Sequence, residues 1–321
     1  MSGTTRREIT RREFIATSAA IGLAAGVAGT ASAQSSKRKF TIALIGSAIG
    51  VSGTIRQQLD WAPKYGFESI EPKRGDLVGL SKSEISELKS EMDERDLVWA
   101  VTGAPASTGE PSEDKFKGQL KGLEVAATAW ETAGVTRVKT AVMSFSNTAY
   151  LENFKLHTDR IRRIGQVLDG HGIRFGLEYL GPKTLWSMRQ HAFVHTMKET
   201  QELIAAAGQD NVALVLDSWH WYCARESVAD ILALDGKDVV SCDLNDAPAG
   251  IEIDDQRDNR RMLPLSSGVI DCKGFLEALV KIGFDGSIMA EPFSVELDAM
   301  GDDDALRLTA DSMKRAFALV G

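Results

Sequence analysis

Ile173-Arg174-Phe175-Gly176-Leu177-Glu178-Tyr179-Leu180-Gly181-Pro182 reads as a short apolar strand that carries a carboxylate near its carboxyl end and stops at Gly-Pro. A carboxylate at the lip of an apolar core is costly unless it is paired or metal-bound, so Glu178 needs partners. Four more apolar runs close the same way: Leu214-Val215-Leu216 at Asp217, Val240-Ser241-Cys242 at Asp243, Ile288-Met289-Ala290 at Glu291, and Ser69-Ile70 at Glu71. Five strands therefore deliver five acids to one end of a parallel sheet.

Outward from this stretch the chain repeats one unit: helix, glycine, apolar strand, acid. Strands are expected at 40–45, 67–71, 97–101, 135–142 and 173–179, and near 212, 239 and 286. Helices are expected over 53–64, after the Ser81–Glu84 capping box, and on the stripes Phe116/Leu120/Leu123/Ala127/Trp130 and Phe154/His157/Ile161/Ile164/Leu168. Four more are expected over about 191–207, 227–235, 271–282 and 303–319. Gly66, Gly134, Gly172, Gly208, Gly236 and Gly283 stand where each helix releases its chain into a strand, a position that tolerates left-handed backbone. Eight such alternations predict a single-domain (β/α)8 barrel of the α/β class. No Gly-x-Gly-x-x-Gly follows the first strand, which argues against an open dinucleotide-binding sheet. An open sheet would scatter the acids along an edge, whereas closure gathers them at one mouth.

Residues 1–33 are set apart from the fold. Thr10-Arg11-Arg12-Glu13-Phe14-Ile15 has a twin-arginine pattern, a small apolar run follows, and Ala31-Ser32-Ala33 fits a cleavage site. That run is weakly apolar and short of the roughly 20 residues of a membrane span. The expectation is an export signal over 1–33, a barrel over 34–321, and a periplasmic or extracellular protein with no membrane association once the signal is removed. Removing the signal leaves 33 basic against 43 acidic residues, a balance of −10 that disfavours nucleic-acid partners. Cys223, Cys242 and Cys272 are odd in number and show no Cys-x-x-Cys spacing, so they read as buried apolar residues.

Glu178, Asp217, Asp243 and Glu291 together make an all-oxygen cage suited to one hard divalent ion such as Mn²⁺ or Mg²⁺, with zinc less suited. Without a cation, four such carboxylates repel one another and must hold protons. For any single acid the competing arrangement is an ion pair with Lys139, Lys183, Arg225 or Arg261; for Glu71 it competes evenly. His220 stands three residues after Asp217 in the loop beyond the strand, placed to bind substrate oxygens or move a proton. His157 lies on an apolar helical stripe and reads as core. His171 caps charge at a helix end, and His191 and His195 open a helix.

The motifs Gly176-Leu177-Glu178-Tyr179-Leu180-Gly181-Pro182, Asp217-Ser218-Trp219-His220, Asp243-Leu244-Asn245-Asp246-Ala247-Pro248, Arg261-Met262-Leu263-Pro264 and Ala290-Glu291-Pro292-Phe293 resemble those of the sugar phosphate isomerase/epimerase superfamily, whose fold is the xylose isomerase-like TIM barrel. The resemblance runs from about Phe40 to Val320. It implies that Glu178, Asp217, Asp243 and Glu291 bind one divalent metal, that Glu178 and Glu291 double as acid and base, and that His220 and Arg261 hold substrate hydroxyls. Glu71 and Lys183, at the same rim, complete the candidate substrate-binding set. There are two departures. Asp243 stands where these proteins usually carry histidine, which leaves the cage wholly anionic, and Leu265-Ser266-Ser267-Gly268 replaces a frequent Gly-acid-Gly.

A metal gripping two neighbouring oxygens of a hydroxy-ketone would acidify the carbon between them, while carboxylates move the proton through an enediolate. The expectation is thus a metal-dependent sugar isomerase or epimerase, with a lyase on a keto-sugar or keto-glycoside as the alternative. A carbohydrate-binding barrel without turnover is the reading from another class. An apurinic endonuclease is disfavoured, because only one of the five histidines stands at a strand end. The expected partner is a small carbohydrate, and the sequence leaves homo-oligomer formation open.

Overall fold

The structure is a computed structural model that describes residues 38–321; the export signal expected over 1–33 lies outside them. The strands are β1 Thr41–Leu44, β2 Ser69–Ile70, β3 in two pieces (Val98–Trp99 and Thr102–Gly103), β4 Arg137–Val142, β5 Arg174–Tyr179, β6 Val212–Asp217, β7 Val239–Asp243 and β8 Ser287–Met289. The principal helices are α1 Ile55–Tyr65, α2 Lys82–Asp93, α3 Glu113–Ala133, α4 Tyr150–Asp169, α5 Met197–Ala207, α6 Val228–Leu232, α7 Cys272–Ile282 and α8 Asp302–Phe317, one after each strand.

The strand pairs are parallel, and the sheet runs from the first piece of β3 through β2, β1, β8, β7, β6, β5 and β4 to the second piece of β3. Both ends of that order belong to the segment 98–103, so the sheet closes on itself. The expected (β/α)8 TIM barrel is the observed fold. Its interior is a packed core: a Cβ on Gly176 would lie 2.6 Å from Val215 Cγ2, so only glycine fits that layer of β5.

Local chemistry set most helix boundaries as expected. Ser81 and Glu84 form the predicted capping box at the start of α2. Gly66, Gly134, Gly172, Gly208 and Gly283 have φ between 66° and 80°. Gly236 does not: it starts a short 3-10 turn, and a Cβ there would strike the Gly283 carbonyl carbon at 2.7 Å, so close backbone approach selects it. The helix expected from 191 begins only at Met197, where Thr196 and Glu199 form a reciprocal cap. His191–Ala192 instead pairs antiparallel with Phe145–Ser146. His157 is core, packed on the Phe193 ring. His171 reaches across to Glu131 and Glu124 of α3 rather than capping its own helix.

Asp246, beyond β7, is a buried anchor for the loop that replaces Gly-acid-Gly. Its carboxylate accepts from the N–H groups of Ala247, Ser267, Gly268 and Ile270 at 2.7–3.0 Å. Those bonds hold its pKa below the usual carboxylate range against burial, which pushes the other way. Asp246→Ala leaves these donors without their partner and is expected to cost about 2–4 kcal/mol, read as a fall in denaturation midpoint with an unchanged m-value. A loss below about 0.5 kcal/mol would show that water satisfies the loop.

Candidate active site

The acids converge because strand register brings them to one level. Asp217 and Asp243 are direct partners across β6 and β7, and Glu178 pairs with Val215 one strand over. One oxygen from each of Glu178, Asp217, Asp243 and Glu291 lies within 4.8 Å of the others. Asp217 and Asp243 are fully buried and Glu178 nearly so. Asn245, inside the Asp243 motif but assigned no role from sequence, ties the group together. Its Nδ2 donates to Asp217 Oδ1 at 3.1 Å and its Oδ1 accepts from the Glu291 N–H at 2.8 Å.

Two cations, the partly buried Lys139 and the buried Arg261, meet this cluster. Lys139, in mid-β4, donates to Asp243 Oδ2 at 2.5 Å. Arg261 bridges Asp217 Oδ2 at 2.7 Å and Glu291 Oε2 at 2.9 Å, and also holds Asp258 at 2.7 Å. Arg261 was expected on substrate hydroxyls; its guanidinium is instead occupied by protein carboxylates, because three acids surround it in a water-poor mouth. The Phe293 ring covers it at 4.7 Å, held with a strained φ of 45°.

His220 sits on a helical turn, Ser218–Cys223, rather than in a loop. Its Nε2 is 3.7 Å from Glu178 Oε1, and the Gly181 N–H points at Nδ1 from 3.3 Å. That approach requires glycine, since a Cβ on Gly181 would lie 2.3 Å from the His220 carbonyl oxygen. Burial, with Arg261 and Lys139 beside it, pushes the His220 pKa well below its ordinary value, so the imidazole is neutral at pH 7.

Two candidates fall elsewhere. Lys183 is half exposed and pairs with Asp254 at 2.8 Å, as does Arg225 at 2.9 Å; both clamp the 249–260 loop and lie outside the carboxylate cluster. Long, hydrated side chains at the rim find the nearest exposed acid. Glu71 also stands outside the four-acid group. It lines a cavity of about 220 Å³ together with Thr102, Lys139, Glu291 and Phe293.

Charge decides what the cluster can hold. Four carboxylates face two fixed cations, one of which, Arg261, is shared with Asp258, so at least two negative charges are left to be met by protons or a divalent ion. Burial raises Glu178 well above the usual carboxylate range, with Lys139 opposing and the neighbouring acids adding. Burial likewise raises Asp217, to about 7, and Asp243. Glu178 Oε1 and Asp243 Oδ1 are buried without a hydrogen-bond partner. Oxygens within 4.8 Å of one another can share an ion at the roughly 2.0–2.6 Å typical of hard cations, so the donor set fits such an ion.

This balance gives a signed expectation for pH. The unfolded chain releases these protons in the ordinary carboxylate range, whereas the folded one holds them higher. Stability without metal therefore falls as pH rises toward Asp217's value of about 7. Thermal scans of metal-free protein should show a Tm lower by several degrees at about pH 8 than at about pH 5, with manganese recovering most at the higher pH. A Tm that climbs over this interval would contradict the buried-proton account.

A closed parallel barrel with an anionic oxygen-donor centre at its strand ends belongs to the class of barrels that do chemistry at their carboxyl-terminal face. The chain matches the xylose isomerase-like TIM barrel family over residues 59–316 and belongs to it. It is 26% identical over 172 residues to an inosose isomerase of Bacillus subtilis, covering 51% of this chain and 58% of that one. To a 3-dehydroshikimate dehydratase of Pseudomonas aeruginosa it is 25% identical over 256 residues, 77% of this chain and 37% of that one. Among solved structures it resembles a xylose isomerase domain protein of Alicyclobacillus acidocaldarius, with a TM-score of 0.76, 25% identity, and 88% and 99% of the two chains covered. It shares its fold with the IOLI protein bound to a zinc atom, with a TM-score of 0.72, 19% identity and coverage of 87% and 98%.

Proposed function

We propose that this barrel is a divalent-metal-dependent isomerase or epimerase of a sugar-like hydroxy-ketone. The observation that carries the reading is the four-carboxylate cluster, short of at least two positive charges, at the mouth of the barrel. Glu178, Asp217, Asp243 and Glu291 would hold the ion, which when bound supplies a Lewis acid for negative charge on neighbouring substrate oxygens.

The chain's own groups move the proton. One carboxylate, Glu291 or Glu178, takes the hydrogen on the carbon next to the ketone, and the electron pair moves into an enediolate. Delivery of a proton to the neighbouring carbon completes an isomerisation; delivery to the opposite face of the same carbon completes an epimerisation. Neutral His220 is buried beside Glu178, with Nδ1 accepting from the Gly181 N–H and Nε2 3.2 Å from Arg261 Nη2, so it would act by positioning Glu178 and Arg261. Similarity to a dehydratase supports a second outcome, in which the same deprotonation expels a β-hydroxyl as water.

The test combines metal analysis with NMR in D₂O on ketoses, inososes and keto-glycosides. The expected result is one manganese or magnesium per chain and deuterium entering the carbon beside the ketone. Protein that binds no divalent ion and exchanges no hydrogen would favour a carbohydrate-binding barrel instead. The twin-arginine pattern supports a site of action outside the cytoplasm, checked by fractionating cells that express the full chain.

A further inference from the structure

The cavity beside the carboxylate cluster holds polar groups that the protein itself does not satisfy. Lys139 has three N–H donors, and Asp243 is their one acceptor among the described residues, so two N–H bonds are left. Its side chain is 14% exposed. Glu71 uses one oxygen to accept from Thr102 at 3.3 Å, while its other oxygen is buried without a partner. Lys139 and Glu71 line the same cavity of about 220 Å³, yet make no ion pair with each other. A spare donor and a spare acceptor held apart across one small cavity call for a ligand that offers both. The volume is below the roughly 300 Å³ at which drug-sized pockets begin and suits a single sugar-like ring.

We propose that Lys139, Glu71 and Thr102 form a substrate subsite for an uncharged keto-polyol, in which one hydroxyl away from the reacting carbons accepts from the Lys139 ammonium and another donates to Glu71. The subsite rests on the functional reading above and narrows its substrate class. Glu71 keeps one buried oxygen unpartnered at the cavity, whereas Glu291 is answered by Arg261, so a substrate that carries its own carboxylate meets the like charge of Glu71. The subsite therefore selects neutral ketones over keto acids. Lys139 contributes as a fixed cation, and Asp243 keeps its ammonium in place.

The experiment is calorimetric titration of manganese-loaded protein with an inosose, which is a neutral cyclic keto-polyol, and with 3-dehydroshikimate, a ring of similar size bearing a carboxylate. The inosose is expected to bind at least tenfold more tightly. Lys139→Met should weaken inosose binding at least tenfold while changing manganese affinity by less. Because that variant removes a buried counter-charge, the isosteric Glu71→Gln provides an independent trial: it should weaken the inosose and narrow the preference over the keto acid. Inosose affinity unchanged in both variants, or a wild-type preference for the keto acid, overturns the subsite while leaving metal binding and hydrogen exchange intact. Loss of the metal reading would look different: no manganese binding by wild-type protein, with inosose binding still sensitive to Lys139 and Glu71.

Discussion

Glu291→Gln will lower solvent-deuterium incorporation into the ketone substrate by about 10²–10⁴-fold, the range for loss of a positioned acid–base group. The substitution is nearly isosteric and keeps an oxygen toward Arg261, which donates to Glu291 Oε2 at 2.9 Å. It removes the basic electron pair that the proposed mechanism uses to take the proton. Glu178→Gln should act similarly, because Glu178 stands across the mouth on β5 and has one buried oxygen without a partner. Metal content and circular dichroism measured on the same samples separate loss of the base from loss of the ion or the fold. Exchange unchanged in Glu291→Gln would remove Glu291 from the mechanism and leave Glu178 as the single base.

The second large effect is on stability. Arg261→Met will destabilise the protein by about 3–5 kcal/mol, because removing one member of a buried charge network strands the others. Asp217 and Glu291 lose a cation 2.7 and 2.9 Å away, and Asp258 loses one at 2.7 Å. The drop in Tm should be on the order of 10 °C. It should shrink as pH is lowered to about 5, since the stranded carboxylates then take up protons. Manganese should recover part of the loss by replacing the missing charge. A change under about 1 kcal/mol would mean that water enters the mouth and screens the acids.

The positions of the acids are legible in the order of residues. A strand that is apolar until its last residues and then acidic can place that acid only at the sheet's carboxyl edge, and the regular helix–glycine–strand spacing implies closure. Glu178, Asp217, Asp243 and Glu291 meet accordingly. Their counter-ions are harder to read. Arg261 is 44 residues from Asp217 and Lys139 is 104 from Asp243, and along the chain both stand among several lysines and arginines that could serve. The strand itself gives no clear signal, since Arg137–Val142 carries Arg137 and Thr140 as well as Lys139. Lys183 departs from expectation for the opposite reason. It follows the Gly181-Pro182 stop closely, yet a short helix over Lys183–Trp186 carries it to the outer loop and to Asp254.

The order of residues alone determined the barrel, the strand ends and the five acids that stand at them, because hydrophobic periodicity and turn chemistry act over short stretches of chain. Tertiary structure alone decided which cations answer those carboxylates, that Arg261 is an internal counter-ion, that Asn245 ties Asp217 to Glu291, and that Glu71 faces a cavity with Lys139 instead of joining the cluster. Those choices depend on distances across a closed mouth, where loss of water makes proximity within a few ångströms outweigh separation along the chain.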